Sequence, residues 1–328
     1  MKALVYTSLE VLEFKDMPDP VPASGDSLIR VEAVGICGSD MHAYLGHDER
    51  RPAPLILGHE VAGLVIKGPL KNKRVTVNPL VTCGMCRACL EGRTNLCPTR
   101  QLISMPPREG GFAELLTMPS ANLVEVPDDV PLDKAALAEP LAVCWHAVKL
   151  CKQVLYTDLM DLRALVIGGG AIGVGSALCL RAFGVRDITI AEPNAERAAY
   201  GMKKTGFLVV APEDVPANDY DLVIDAVGYR ATREAACHAV RPGGAICHIG
   251  LGDSEDGLDI RRMTLQEITF FGSYVYTMQD FRETAQAMFD GRLGALDWTE
   301  PRALRDGGQA FADLLGGRVM APKIVLHP

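Results

Sequence analysis

Cys83, Cys86, Cys89 and Cys97 fall within fifteen residues, in the run C-G-M-C-R-A-C-L-E-G-R-T-N-L-C. Cys-x2-Cys-x2-Cys spacing lets one short loop offer three thiolates to a single ion, and a fourth closes a tetrahedral Zn(II) site that excludes water. A closed site of that kind is structural. Disulfides are not expected, because the start M-K-A-L-V-Y lacks the basic and then apolar stretch that would direct a chain to an oxidising compartment. Spacing alone also admits an iron–sulfur cluster; context favours zinc, because a second set of zinc-type ligands lies upstream.

That second set is Cys37 in G-I-C-G-S-D-M-H and His59 in L-G-H-E, with Glu60 and Glu139 as available carboxylates. Three protein ligands and one exchangeable position describe a catalytic rather than a structural metal. Singly, each residue has a plainer reading as a buried thiol, a core imidazole or a surface acid. Beside a nucleotide-binding motif the set reads as a site. Cys144, Cys151, Cys179, Cys237 and Cys247 stand among apolar neighbours and read as small buried hydrophobes.

The nucleotide motif is G-G-G-A-I-G, with Gly168, Gly170 and Gly173 in the G-x-G-x-x-G positions and Ile172 within the same turn. It follows an apolar strand and opens a helix, the setting in which such a turn brings backbone N–H groups against a pyrophosphate. Glu192 ends the next strand, about twenty residues on, where a carboxylate can hold the ribose hydroxyls. Its charge would repel a 2′-phosphate, so NAD is expected over NADP. Arg197 is the residue that could soften this preference.

These residues need two kinds of support. At 328 residues the chain is longer than a single core usually grows. Residues 1 to about 145 are rich in Pro and Gly, with short β-like runs at 27–33, 60–66 and 74–77, and predict an irregular, mostly β unit. From Arg163 the pattern alternates: A-L-V-I-G, a helix through Ala182, D-I-T-I-A, a helix through Lys204, then D-L-V-I-D and G-G-A-I-C-H-I-G. Alternation of this kind specifies an α/β fold with a doubly wound parallel sheet. A net charge of -8 argues against nucleic acid or an anionic membrane as partner. No apolar run is long enough to span a bilayer. A cytoplasmic enzyme is expected.

G-I-C-G-S-D-M-H, G-H-E-V-A-G, the four-cysteine run, G-G-F-A-E, A-E-P-L-A-V and the dinucleotide turn together make the chain resemble the zinc-containing medium-chain dehydrogenases/reductases, the alcohol and polyol dehydrogenase superfamily. The resemblance covers essentially the whole length. It implies a Rossmann NAD-binding domain over 146–278 and a discontinuous GroES-like zinc catalytic domain over 1–145, completed by 279–328. It also implies one catalytic and one structural zinc per chain, and a homodimer or homotetramer in which the strand around Ile268 to Ser273 extends the sheet. A-L-A-E-P-L-A-V points to the sorbitol and threonine dehydrogenase-like branch. There Cys37 and His59 would be ligands, Glu60 would coordinate directly, and Glu139 would bind directly or through water. Ser39 matches the hydroxyl that accepts the substrate proton and His42 the imidazole that passes it to solvent. Asp40 would fix the tautomer of His59.

Three departures from the family stand out, the first a matter of surface and assembly and the other two of substrate. The loop between Val65 and Val75 is trimmed. Val275 stands where sorbitol-dehydrogenase-like members carry a polyol-binding arginine, and Ala43 follows His42 where they carry an aromatic. Buried substrate hydroxyls need partners, so a long open-chain polyol is disfavoured. The expected reaction is hydride transfer from a secondary alcohol or polyol, a sugar alcohol or its phosphate among them, to NAD, giving the ketone. A threonine 3-dehydrogenase-like activity and a non-catalytic zinc- and nucleotide-binding redox sensor are the alternatives. The intact set of Cys37, Ser39, His42, His59 and Glu139 speaks against the sensor, which has no need of a proton relay.

Overall fold

The computed structural model describes residues 1–328. Strand Asp26–Gly35 is the spine of a seven-stranded sheet with neighbours Glu60–Lys67, Arg74–Val77 and Leu123–Glu125 on one side. Leu115–Pro119 also pairs with the spine, and Lys323–His327 and then Thr299–Ala303 complete the other side. The last two strands come from the far end of the sequence. Val, Ile and Ala recur along the spine and Glu60–Lys67, whose inner positions are fully buried. This is the pattern expected of strands covered by a core. Sequence expectation and strand agree at 74–77, while the flanking runs extend to Asp26–Gly35 and Glu60–Lys67.

The second sheet has six parallel strands in the order Leu208–Val210, Asp187–Ala191, Arg163–Ile167, Tyr220–Asp225, Val240–His248 and Thr269–Gly272. Helices Ala171–Ala182, Ala195–Thr205 and Arg230–Ala239 make crossovers. Strand order reverses at Arg163–Ile167, which lies between its immediate successor and Tyr220–Asp225. Ligands of doubly wound sheets bind beyond the strand ends at such a switch point. Thr269–Gly272 lies at the sheet edge.

A 35-residue apolar cluster joins the parallel sheet to helix Ala138–Val154 and to a later segment that includes Phe281, Met288 and Trp298. Helix Met278–Phe289 thus packs with the parallel sheet, although it follows the segment expected to form that sheet's domain. A separate 30-residue cluster, with Leu4, Val61, Phe112 and Phe311, fills the space under the antiparallel sheet. Each fully buried side chain of this size contributes about 1.5–3 kcal/mol. The five cysteines read as small hydrophobes are all buried. No helix is long and apolar enough to cross a membrane.

Candidate active site

Cys37 is the N-cap of helix Gly38–Tyr44, so its side chain leaves the end of the spine strand while the helix turns Ser39 and His42 toward the same space. His59 and Glu60 enter at the start of the neighbouring strand, where Glu60 pairs in register with Gly35. A side chain at Gly35 would collide with the Glu60 carboxylate, so a glycine here leaves room for the acid. The ligand atoms of Cys37, His59 and Glu60 lie within 4.8 Å of one another. Glu60 is fully buried and its Oε2 has no partner. One soft thiolate, one imidazole and a dehydrated, unpaired carboxylate oxygen form a donor set that fits Zn(II).

Asp40 orients this set. Its Oδ2 accepts from the Cys37 N–H at 3.0 Å, its Oδ1 accepts from the Gly58 N–H at 3.2 Å, and Oδ1 lies 3.5 Å from His59 Nδ1. Burial would push the Asp40 carboxyl up, but His59, Arg51 and the Cys37 N–H hold it below its ordinary value. Nδ1 makes no hydrogen bond, so Asp40 faces it as a neighbouring charge.

Glu139 occupies the first turn of helix Ala138–Val154, 5% exposed, and lines the same cleft without joining the three-residue cluster. Its Oε1 accepts a 2.7 Å hydrogen bond from the Tyr276 hydroxyl. Burial raises the Glu139 carboxyl above its usual value. Burial and Glu139 together push the Tyr276 phenol well up, so it remains a donor.

The cleft has a volume of about 310 Å³. Ser39, His42 and Glu139 face it from the catalytic side, and Ile172, Val227 and Ile249 from the end of the parallel sheet. Leu80, Leu102, Met105, Val143 and Val275 make its walls largely apolar. Val275 therefore does stand in the cleft, whereas Ala43 is buried in the core under the antiparallel sheet. Burial, and then the charge of His47, lower the His42 pKa. A neutral imidazole is the form that can take a proton.

At the dinucleotide turn, Gly170 caps helix Ala171–Ala182. A side chain at Gly173 would strike the Gly168 carbonyl, which explains that glycine by close packing of helix on strand. Glu192 is 4% exposed; Oε2 accepts from the Gly169 N–H at 2.8 Å and Oε1 from the Asn194 N–H at 3.0 Å. Arg197 Nη1 lies 3.7 Å from Glu192 Oε1, so its charge is turned toward the acid.

The four cysteines converge in their own lobe. Cys83 Sγ lies 3.6 Å from Cys97 Sγ and 4.0 Å from Cys89 Sγ. A tetrahedron with Zn–S bonds of about 2.3 Å has edges of about 3.8 Å, so the sulfurs already have the spacing of a zinc site. N–H groups of Met85 and Cys86 pull the Cys83 thiol down, while burial and the neighbouring thiols push Cys89 up.

Sequence reasoning missed Lys323, Tyr276 and the pair Arg50 and Arg51. Lys323 Nζ donates to Glu60 Oε1 at 2.6 Å and to the Ile36 carbonyl at 2.8 Å, with both charged side chains at most 3% exposed. Its only signal was a lysine opening the apolar strand K-I-V-L-H. Breaking a buried pair leaves an uncompensated charge, so Lys323→Met is expected to cost about 3 kcal/mol in denaturant unfolding; an unchanged midpoint would mean that the pair is not formed. Arg50 and Arg51 line the cleft, both held by Asp48.

Family comparison matches residues 23–128 to the alcohol dehydrogenase GroES-like domain and residues 171–290 to the zinc-binding dehydrogenase model. A probable (R)-acetoin-forming diacetyl reductase of Saccharomyces cerevisiae is 31% identical over 98% of this chain and 86% of its own. The L-galactonate-5-dehydrogenase of Escherichia coli is 30% identical over 90% of this chain and 89% of its own. Among solved structures, acetophenone reductase from Geotrichum candidum, in complex with NAD, superposes with a TM-score of 0.88. It is 26% identical, with 100% of this chain and 96% of that one covered.

Proposed function

This chain belongs to the zinc-binding alcohol dehydrogenases of the medium-chain dehydrogenase/reductase superfamily, and from that premise we propose that it oxidises a short secondary alcohol with NAD to the ketone. The observation that carries the reading is the convergence of Cys37, His59 and Glu60, with its unpaired buried oxygen, the first two lining a cleft whose far wall includes Ile172 of the dinucleotide turn. In this reading Cys37, His59 and Glu60 would hold one zinc, with Glu139 beside them as a further carboxylate, and the four-cysteine lobe would hold a second. The chemistry such groups would supply is Lewis acidity toward the substrate oxygen from the zinc and a hydride acceptor from the nicotinamide.

The chain's own residues do the remainder. Ser39 Oγ would accept the hydroxyl proton of the substrate as its own proton leaves toward the neutral His42 imidazole, which would release it to solvent. Asp40 stands beside His59 as a neighbouring charge. The apolar walls exclude water and leave few partners for extra hydroxyls, which favours a simple secondary alcohol, vicinal diol or hydroxyketone over a long polyol. Acetoin formation by the yeast relative agrees with that size class.

Glu192 would receive the adenosine ribose, supporting NAD over NADP. Glu192→Ala is expected to lower the ratio of kcat/KM for NAD over that for NADP by about tenfold, on the order of one charge-assisted hydrogen bond. An unchanged ratio would remove its ribose role. The division into a catalytic part, 1–145 with 279–328, and a nucleotide part, 146–278, belongs to the same proposal, with helices Ala138–Val154 and Met278–Phe289 straddling the seam. So do a cytoplasmic location and a homodimer joined through the edge strand Thr269–Gly272.

The test is zinc content per chain together with NAD reduction across secondary alcohols, vicinal diols, polyols, sugar acids and threonine. Two zincs and preferred turnover of a short alcohol or diol support the reading. Preferred turnover of a sugar acid such as L-galactonate would instead assign Arg50 and Arg51 to the substrate, and turnover of threonine would move the protein to that branch.

A further inference from the structure

We propose that the four-cysteine lobe positions Glu139 in the catalytic cleft through the segment Ser273–Thr277, with Asn95 and Tyr276 as the positioning residues. This rests on the reading of Glu139 as part of the catalytic centre.

Asn95 lies between Cys89 and Cys97 in the lobe and is 4% exposed. Its Nδ2 donates to the Tyr274 carbonyl at 2.9 Å. Arg100, just past Cys97, donates from Nη1 to the Cys97 carbonyl, places its guanidinium 5.0 Å over the Tyr274 ring, and donates from Nε to the Tyr274 hydroxyl at 3.3 Å. Thr94 Oγ1 accepts from the Met278 N–H at 3.4 Å. The lobe therefore grips this segment at both ends.

Between those grips Val275 has φ +42°, a left-handed conformation. A β-branched residue is strained there and stays only where its surroundings impose it. On the other side, the Tyr276 hydroxyl holds Glu139, and Asp280 accepts from Lys149 at 2.7 Å and pairs with His146 at 2.8 Å. His146 and Lys149 lie on the helix that carries Glu139 in its first turn. Asp280 Oδ2 also accepts from the Thr277 N–H at 3.0 Å, so the segment is fastened to the lobe along one side and, through Tyr276 and Asp280, to the carboxylate and its helix along the other. Such a link transmits lobe geometry to the cleft without any contact between the two metal sites.

Asn95→Ala and Tyr276→Phe, made singly and together in the full-length protein, test this. Zinc per chain, NADH binding, kcat, KM and the rate at which a chelator removes the zinc lost in Cys37→Ser are the readouts. Each single variant is expected to keep both zincs and NADH affinity, to lower kcat about tenfold, and to speed chelator release of the Cys37-site zinc. The double variant should be little worse than either single one, because both break the same link. Losses that multiply to about a hundredfold would overturn the proposal, as would a fully active Asn95→Ala. If Asn95→Ala loses the lobe zinc, Asn95→Asp keeps the size but cannot donate to the Tyr274 carbonyl. That variant should show the same loss with the lobe zinc in place, and full activity would overturn the proposal. A wild-type protein that turns over no alcohol would refute the dehydrogenase reading, while chelator release would still decide whether the lobe governs the Cys37 site.

Discussion

Cys37→Ser is expected to lose about three orders of magnitude in kcat while binding NADH as tightly as the parent. The figure corresponds to roughly 4 kcal/mol of transition-state stabilisation, in line with the several kcal/mol that a Lewis-acidic ion contributes. The loss has two sources. A serine hydroxyl is a poor replacement for a thiolate toward Zn(II), so the Cys37, His59 and Glu60 set loses its softest donor. Cys37 also caps helix Gly38–Tyr44, but through its backbone geometry and the Asp40 carboxylate, which a serine retains. The fold and the dinucleotide turn should therefore persist. Metal analysis should find one zinc instead of two, with unfolding nearly unchanged. A fully active Cys37→Ser enzyme would remove the catalytic-zinc assignment altogether.

Cys89→Ser should act on stability first. Structural zinc sites bind with apparent free energies of about 10 kcal/mol or more, and that energy is available only to the folded lobe. The lobe has little apolar core of its own: Cys83, Cys86 and Cys89 are only partly buried, and Met85 and Leu90 are mostly exposed, so beyond the buried Cys97 and Asn95 its metal would carry most of its stability. Loss of one of four thiolates is expected to cost more than about 5 kcal/mol and to lower the melting temperature by at least about 10 °C. Calorimetry with and without added zinc measures it. A variant that melts with the parent would show that the lobe folds without its metal.

The two variants separate what the metals do. Cys37→Ser should spare stability and remove chemistry; Cys89→Ser should weaken the lobe and, through Asn95 and the Ser273–Thr277 segment, disturb the cleft as a consequence. Chelation should follow the same order, with loss of turnover at the Cys37 site preceding loss of the fold.

Much of this site was legible in the chain because its chemistry is local in sequence. Four cysteines within fifteen residues, Cys37 capping the short helix that carries Ser39, Asp40 and His42, and His59 beside Glu60 all depend on neighbours a few positions apart. The alternation of strand and helix after Arg163 likewise follows from side-chain period, and each strand expected from it is present. Short-range spacing determines which ligands one loop can present and which face a residue takes, and it needs no knowledge of the remaining chain.

Tertiary structure alone decided how distant pieces meet. Lys323 reaches Glu60 across 263 positions and Tyr276 reaches Glu139 across 137, because strands from the C-terminal end close the antiparallel sheet and helix Met278–Phe289 packs against Ala138–Val154. Neither partner carries a spacing signal. A buried charge or hydroxyl must be satisfied by whatever the fold brings within about 3 Å, and packing rather than sequence proximity sets that choice. The largely apolar cleft has the same origin, since its walls gather Leu80, Leu102, Val143 and Val275 from four separate stretches of the chain. Sequence determined the chemistry this protein can carry out; the packing of its two sheets decided which residues hold that chemistry in place and how little polar surface is left for a substrate.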